Sequence, residues 1–232
     1  MRSLILPRPF ASRYGVPVIG RVDPRIFTSR YFTHCLHCGF CHDWCCSFGV
    51  DVDLRAAGAL ERHAEALERY TGIGRERWLE PEVERDAEMP GGGSRRTRVE
   101  HGACVFLNRA GRGCRLHAFC LDQGLDYHEL KSLVDCLFPL TFSGDLLCPS
   151  DEVATGALVC LDRGPSVYRG LREEVRYYFG DECVAALDGL ASAYETDNSA
   201  PTAGIRSTNR WSSTSSVSPM SNRTGARNSG PS

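Results

Sequence analysis

Between Cys35 and Cys46 the chain reads Cys-Leu-His-Cys-Gly-Phe-Cys-His-Asp-Trp-Cys-Cys, and no other stretch limits the possible folds as much. Five of the protein's 12 cysteines and two histidines occupy these twelve positions. The first four cysteines follow C-x2-C-x2-C-x3-C. Each two-residue gap lets the chain turn and bring a thiolate back to the same point, so the run can wrap one inorganic centre. Bacterial-type cluster-binding ferredoxins use this spacing with a proline after the last cysteine, and here Cys46 stands in that place. A lone cysteine is often a small buried hydrophobe, but five thiols so close together would make a poor core. Disulfide frameworks belong to small secreted chains, and a chain of 232 residues without an export signal is not expected to be one.

The rest of the composition narrows the partners. Hydrophobic residues make up 42% and charged residues 24%, the balance of a soluble globular protein. A formal net charge of -2 offers no basic field for a phosphate backbone, so a nucleic-acid partner is not expected. Pro7 and Pro9 stop the apolar Ser3–Leu6 run too early for a signal peptide. No stretch approaches the roughly 20 apolar residues that span a bilayer. The expectation is a cytoplasmic protein with no membrane partner, whose thiols stay reduced and available to metal.

Around the cysteine run the chain divides into four parts. Residues 1–30 read as an N-terminal arm over the cluster region, with at most a short edge strand at Val16–Val22, because Pro7, Pro9, Pro17 and Pro24 interrupt it. Residues 31–150 form the cysteine-cluster domain. Within it, Leu54, Ala57, Leu60, Ala64, Leu67 and Tyr70 recur at helical spacing, with Asp51 or Asp53 as cap and Gly72 and Gly74 as stop. Residues 80–98 lose periodicity and read as a flexible surface loop, whose glycine run lacks a P-loop ending. Ala103–Asn108 reads as a strand, Arg109–Gly113 as a turn, and Leu140–Cys148 as a hairpin. Residues 151–194 hold C-terminal helices, broken at Gly180 and restarted at Asp181. Residues 195–232 are rich in Ser, Thr, Asn, Gly and Arg, and read as a disordered tail. Cys148, Cys160 and Cys183 lie among apolar neighbours and read as core. The fold class expected is α+β, a small irregular metal-centred domain of short hairpins packed by helices.

Three blocks together resemble the YkgJ-like cysteine-cluster proteins, the CxxCxxCC or zinc- or iron-chelating domain family. They are Cys35-x2-Cys38-Gly39-x-Cys41; Cys104-x-Phe106-Leu107 with Gly113-Cys114-x-Leu116-His117; and Leu130-Lys131 through Cys136-x-Phe138-Pro139. The family's adjacent pair is displaced here to Cys45-Cys46, with His42 after the third cysteine, and Val134-Asp135 replaces its Arg-Pro. The resemblance implies metal chelation and little about a reaction. A hairpin bearing Cys104 and Cys114 would bring both sulfurs to the first block, and Cys136 would close the set. The candidate ligands are Cys35, Cys38, Cys41, Cys45, Cys46, Cys104, Cys114 and Cys136, with His42 and His117 as substitutes. Eight thiols exceed the four that one zinc or one cubane needs. Phe40, Trp44 and Phe48 either shield the centre or belong to the core.

Thiolates are soft donors suited to zinc, copper(I) and iron–sulfur centres. The cysteine run favours an iron–sulfur cluster or iron, with zinc as the alternative. Two classes of role follow: a redox or electron-transfer centre, or a non-catalytic zinc-chelating, metal-delivery or scaffold protein open to a protein partner. No G-x-S-x-G, H-E-x-x-H or dinucleotide motif is present. His128 and Glu129 read as surface helix.

Overall fold

The computed structural model describes residues 2–32, 39–41 and 43–199, with side chains described as far as residue 194. Cys35, Cys38, His42 and the tail from residue 200 onward lie outside the described residues.

The chain begins with strands β1 (Leu4–Ala11) and β2 (Val18–Val22), helix α1 (Arg25–Thr28) and strand β3 (Arg30–Tyr31). After the first cysteine block, a 3-10 turn (Trp44–Ser47) leads into β4 (Asp51–Asp53) and helices α2 (Leu54–Arg62) and α3 (Ala64–Thr71). Four short strands follow: β5 (Glu84–Arg85), β6 (Gly93–Arg96), β7 (Val99–Glu100) and β8 (Ala103–Cys104). Next come α4 (Arg115–Gln123), α5 (Tyr127–Leu130), α6 (Leu133–Leu137), β9 (Leu140–Ser143), β10 (Leu146–Pro149) and α7 (Asp151–Thr155). Strand β11 (Leu161–Ser166), α8 (Val167–Gly170) and α9 (Arg172–Ser199) end the described chain. The fold is α+β.

Residues 1–30 do more than the arm the sequence suggested. β1 and β2 form an antiparallel hairpin, β2 runs parallel to β10, and β10 pairs with β9 as the expected hairpin. The order is β1-β2-β10-β9, so β2 is an interior strand and β1 the edge. Ile19 and Val22 are fully buried from β2, which explains why it sits inside. The stretch expected as a loop at 80–98 also differs. β5 and β6 join β4 in a three-stranded sheet, with Val52 opposite Arg95. Gly93 permits this pairing, since a Cβ there would stand 2.3 Å from the Glu84 carbonyl oxygen.

Capping explains the helix starts. Asp53 accepts the Ala56 amide at 2.8 Å and the Leu133 amide at 3.1 Å, so one fully buried carboxylate ties the beginnings of α2 and α6 together. The expected helix at 53–70 divides at His63 and ends on Gly72 in the left-handed region. α9 is likewise two helical pieces, and the break falls at Gly180 (φ 82°), where the sequence put it. It runs on to Ser199, past the expected start of the tail.

Two apolar clusters result. One gathers the four-stranded sheet, α1, α6, α8 and α9, around residues such as Ile19, Leu137, Leu147, Val175 and Leu187. The other gathers α2, α3 and α4 around Leu60, Leu67, Trp78, Phe106 and Phe119. No described helix is long and apolar enough to cross a membrane.

Candidate metal centre

The described end of the first cysteine block is a tight curl. Asp43 takes φ 57°, and the Trp44 and Cys46 amides donate to the carbonyls of Cys41 and Asp43 at 3.1 and 2.9 Å. Asp is among the few non-glycine residues that tolerate this conformation. The curl sends neighbouring thiols to different places. Cys41 is buried in the sheet-side cluster, whereas Cys45, at the edge of that cluster, and Cys46 line a cavity. Arg112, in the turn between Cys104 and Cys114, donates to Asp43 at 3.0 Å and to the Cys41 sulfur at 3.1 Å. The second block is thus tied to the first by one guanidinium.

The cavity measures about 770 Å³ and draws its walls from both apolar clusters. Cys45 and Cys46 reach it from the 3-10 turn, Cys104 from β8, Cys114 from the residue capping α4 and Cys136 from α6. Leu107 bridges to Cys114, closing the second block into a hairpin with less strand than expected. Five of the eight candidate thiols therefore line one space. Cys41 does not, and Cys35 and Cys38 lie outside the described residues. Cys120, Cys160 and Cys183 are buried in the two cores, and Cys148 is half-buried on β10. Among the described residues, no three His, Cys, Asp or Glu side chains come close enough together to hold a metal ion. The cavity wall carries five thiols, the soft donors a soft metal would need, alongside the carboxylates of Asp51, Asp135, Glu152, Glu173 and Glu174.

Burial, the largest influence on each, pushes the Cys114 and Cys136 thiols up to about 12 and raises Cys104 as well. The Cys104 thiol donates to Thr97 Oγ1 at 3.4 Å, and the Val50 amide donates to the same oxygen at 2.9 Å. Gly49 must be glycine here: at φ 71°, a Cβ would stand 2.8 Å from that Thr97 hydroxyl.

Two cations line the cavity, exposed Arg96 and the largely buried Lys131. The Lys131 ammonium lies 3.3 Å from Asp135 and its side chain is only 12% exposed. Burial works against its charge, but the charges of Asp135, Cys136 and Cys114 outweigh burial and hold it well above the ordinary value. His117 borders the same space, and burial, then Lys131, keeps it below its usual value, favouring the neutral ring a metal can use. Of the expected shielding aromatics, Trp44 does not line the cavity and Phe48 does. They are 47% and 51% exposed and pack edge to face on each other. Phe40 packs against Phe32 beside the sheet-side core.

His128, expected on a surface helix, is buried. Its Nδ1 faces Asp126 and its Nε2 faces Glu174 at 2.8 Å. Burial would push Asp126 up, but hydrogen bonds from His128 and Tyr177 outweigh it and hold the carboxyl below the usual range. Glu174 comes from α9 and is distant in sequence, so only the Asp126-x-His128 spacing could have signalled this group.

No family model matches the chain, and no solved structure matches it.

Proposed function

We propose that the protein binds an iron–sulfur or iron centre through the thiolates of its cysteine blocks, in a redox or electron-transfer role. The observation that carries this reading is the convergence of Cys45, Cys46, Cys104, Cys114 and Cys136, from three separate blocks, on one cavity. Cys35 and Cys38 complete the ligand set on their spacing. Lys131 supports it too, since a buried thiolate-rich centre carries negative charge that a nearby ammonium offsets. A bound centre would supply one-electron chemistry; the chain's own groups hold it, balance its charge and limit its contact with water. The resemblance of the three blocks to the YkgJ-like family agrees with chelation. This reading takes the protein to be cytoplasmic, where thiols stay reduced, and to work without nucleic acid, with a protein as its redox partner.

The test is purification without oxygen, followed by metal and sulfide analysis and an absorption spectrum. Iron with acid-labile sulfide and a broad visible absorption is expected. Stoichiometric zinc without iron would overturn the iron reading in favour of a non-catalytic zinc-chelating, metal-delivery or scaffold protein.

A further inference from the structure

Four rings stand face to face in a column that starts in the cavity wall. His117 stacks on Tyr127 at 4.4 Å between centroids and 20° between planes. Tyr127 stacks on His128 at 4.0 Å and 27°, and His128 on Tyr177 at 3.6 Å and 12°. His117 and Tyr127 line the cavity. At the far end, the guanidinium of exposed Arg13 lies 4.1 Å from the centre of the Tyr177 ring. Elsewhere, ring pairs such as Phe27–Tyr168 and Tyr70–Phe119 meet edge to face. Edge-to-face contact serves core packing as well as stacking does, so packing alone does not call for a run of three stacks.

The polar ends of these rings are arranged as well. The Tyr127 hydroxyl donates to Glu174 Oε1, and the Tyr177 hydroxyl donates to Asp126 Oδ2 at 2.8 Å. The second oxygens of the same two carboxylates face the two ring nitrogens of His128. A phenol that loses an electron becomes a strong acid, so tyrosine oxidation at moderate potential needs a base already in hydrogen-bond contact. Both tyrosines have one, and the ring between them touches both faces.

We propose that this column is a one-electron conduit between the cavity and the surface, with Tyr127 and Tyr177 as relay sites and His128 as the bridge that couples them. The proposal rests on the redox reading above for the donor at the cavity end. A one-electron outer-sphere oxidant at the surface takes an electron from Tyr177, whose phenol proton crosses to Asp126. Tyr127 then gives an electron to the Tyr177 radical; Asp126 returns its proton, and the Tyr127 proton crosses to Glu174. Tyr127 is restored by one electron from a thiolate-held donor in the cavity, with Glu174 returning the proton. The net change is one electron out of the cavity and one oxidant reduced, with each proton back on its phenol.

The experiment is laser flash-quench oxidation of the full chain, as purified, by a ruthenium polypyridyl photooxidant in solution. Wild type is compared with Tyr127→Phe, Tyr177→Phe, Asp126→Asn and Tyr70→Phe. Tyr70 is the control, because its hydroxyl donates to Asp122 at 2.6 Å, the same phenol–carboxylate pair outside the column. Wild type and Tyr70→Phe should give a neutral tyrosyl radical by transient absorption and freeze-quenched electron paramagnetic resonance, which a filled cavity donor then refills. The yield should fall roughly tenfold or more in Tyr177→Phe and Asp126→Asn, equivalent to about 1.4 kcal/mol of barrier, while Tyr127→Phe should keep the Tyr177 radical and slow its refilling from the cavity by a similar factor. Asp126→Asn keeps every ring, so it decides the matter if a phenylalanine variant folds poorly. Equal yields in all five proteins, or a loss confined to Tyr70→Phe, would overturn the conduit. Metal and sulfide analysis of the same samples reports on the redox centre separately. A column radical in metal-free protein would defeat that reading and leave the conduit standing.

Discussion

Cys136 and Cys183 are both buried thiols, and burial pushes both up to about 12. Both belong to the sheet-side core, but only one of them also borders the cavity. Cys183 sits on α9 within the sheet-side core, beside Val184 and Leu187, and does not line the cavity. Cys136, on α6, faces the open volume, where the Lys131 ammonium favours the thiolate and the Asp135 carboxylate opposes it. The cost of ionising a cysteine therefore does not distinguish a site from a core in this protein. What distinguishes them is room for another atom beside the sulfur and a cation to balance the charge that binding would create.

Three changes would break or sharpen that contrast. The largest expected effect is from Asp53→Ala, which leaves the buried amides of Ala56 and Leu133 without their acceptor. At about 1–3 kcal/mol for each unpaired amide, the loss should be roughly 2–6 kcal/mol. It strikes the start of α6, which carries Cys136, and not α9. Thiol labelling under rising urea should thus expose Cys136 well before Cys183, and simultaneous labelling would argue against a separate frame for the cavity.

Arg112→Ala comes next. It removes charge-assisted bonds to Asp43 and Cys41, each worth about 1.5–3 kcal/mol when well formed. Arg112 is about one-third exposed, so solvent brings the expected total to roughly 1–2 kcal/mol. The melting temperature should fall and the metal content with it, because Cys45 and Cys46 lose their hold beside the second block. A drop in stability with full metal content would show that the first block needs no such clamp.

The smallest effect concerns the core thiol and pH. Cys183 binds its proton more tightly folded than unfolded, so its contribution is complete below the unfolded value near 9. It is lost as pH rises through about 12. Cys183→Val should leave stability at neutral pH within the usual range of a core swap, about 1.5 kcal/mol or less. It should also flatten the alkaline fall between those values. An unchanged alkaline limb in urea titrations would show that Cys183 does not carry this dependence.

Local chemistry was the legible part of the sequence. The Asp53 cap, the Gly72 stop, the break at Gly180 and the β9–β10 hairpin all depend on neighbours a few residues away. The three cysteine blocks were legible for the same reason; five of their thiols line one cavity, though among the described residues no three donors stand close enough to hold a metal ion. Distant pairings left no local mark. Arg21 in β2 lies opposite Leu146 in β10, and nothing near Val18–Val22 announces a parallel partner so far along the chain. Gly93, one of the glycines that made 90–93 look like a loop, is what lets β6 approach β5. His128 looked like a surface residue because its partner Glu174 comes from another element.

The measurement closest to the central claim is metal per chain in Cys114→Ser and Cys183→Ser, purified side by side without oxygen. Serine keeps the size of the side chain but offers a soft metal a far poorer ligand. The account predicts that Cys114→Ser loses most of its metal and, because binding and folding are linked, several kcal/mol of stability. Cys183→Ser should keep its metal and lose only about 1–3 kcal/mol for a buried hydroxyl without a partner. Full metal in Cys114→Ser, or equal losses in the two variants, would contradict it.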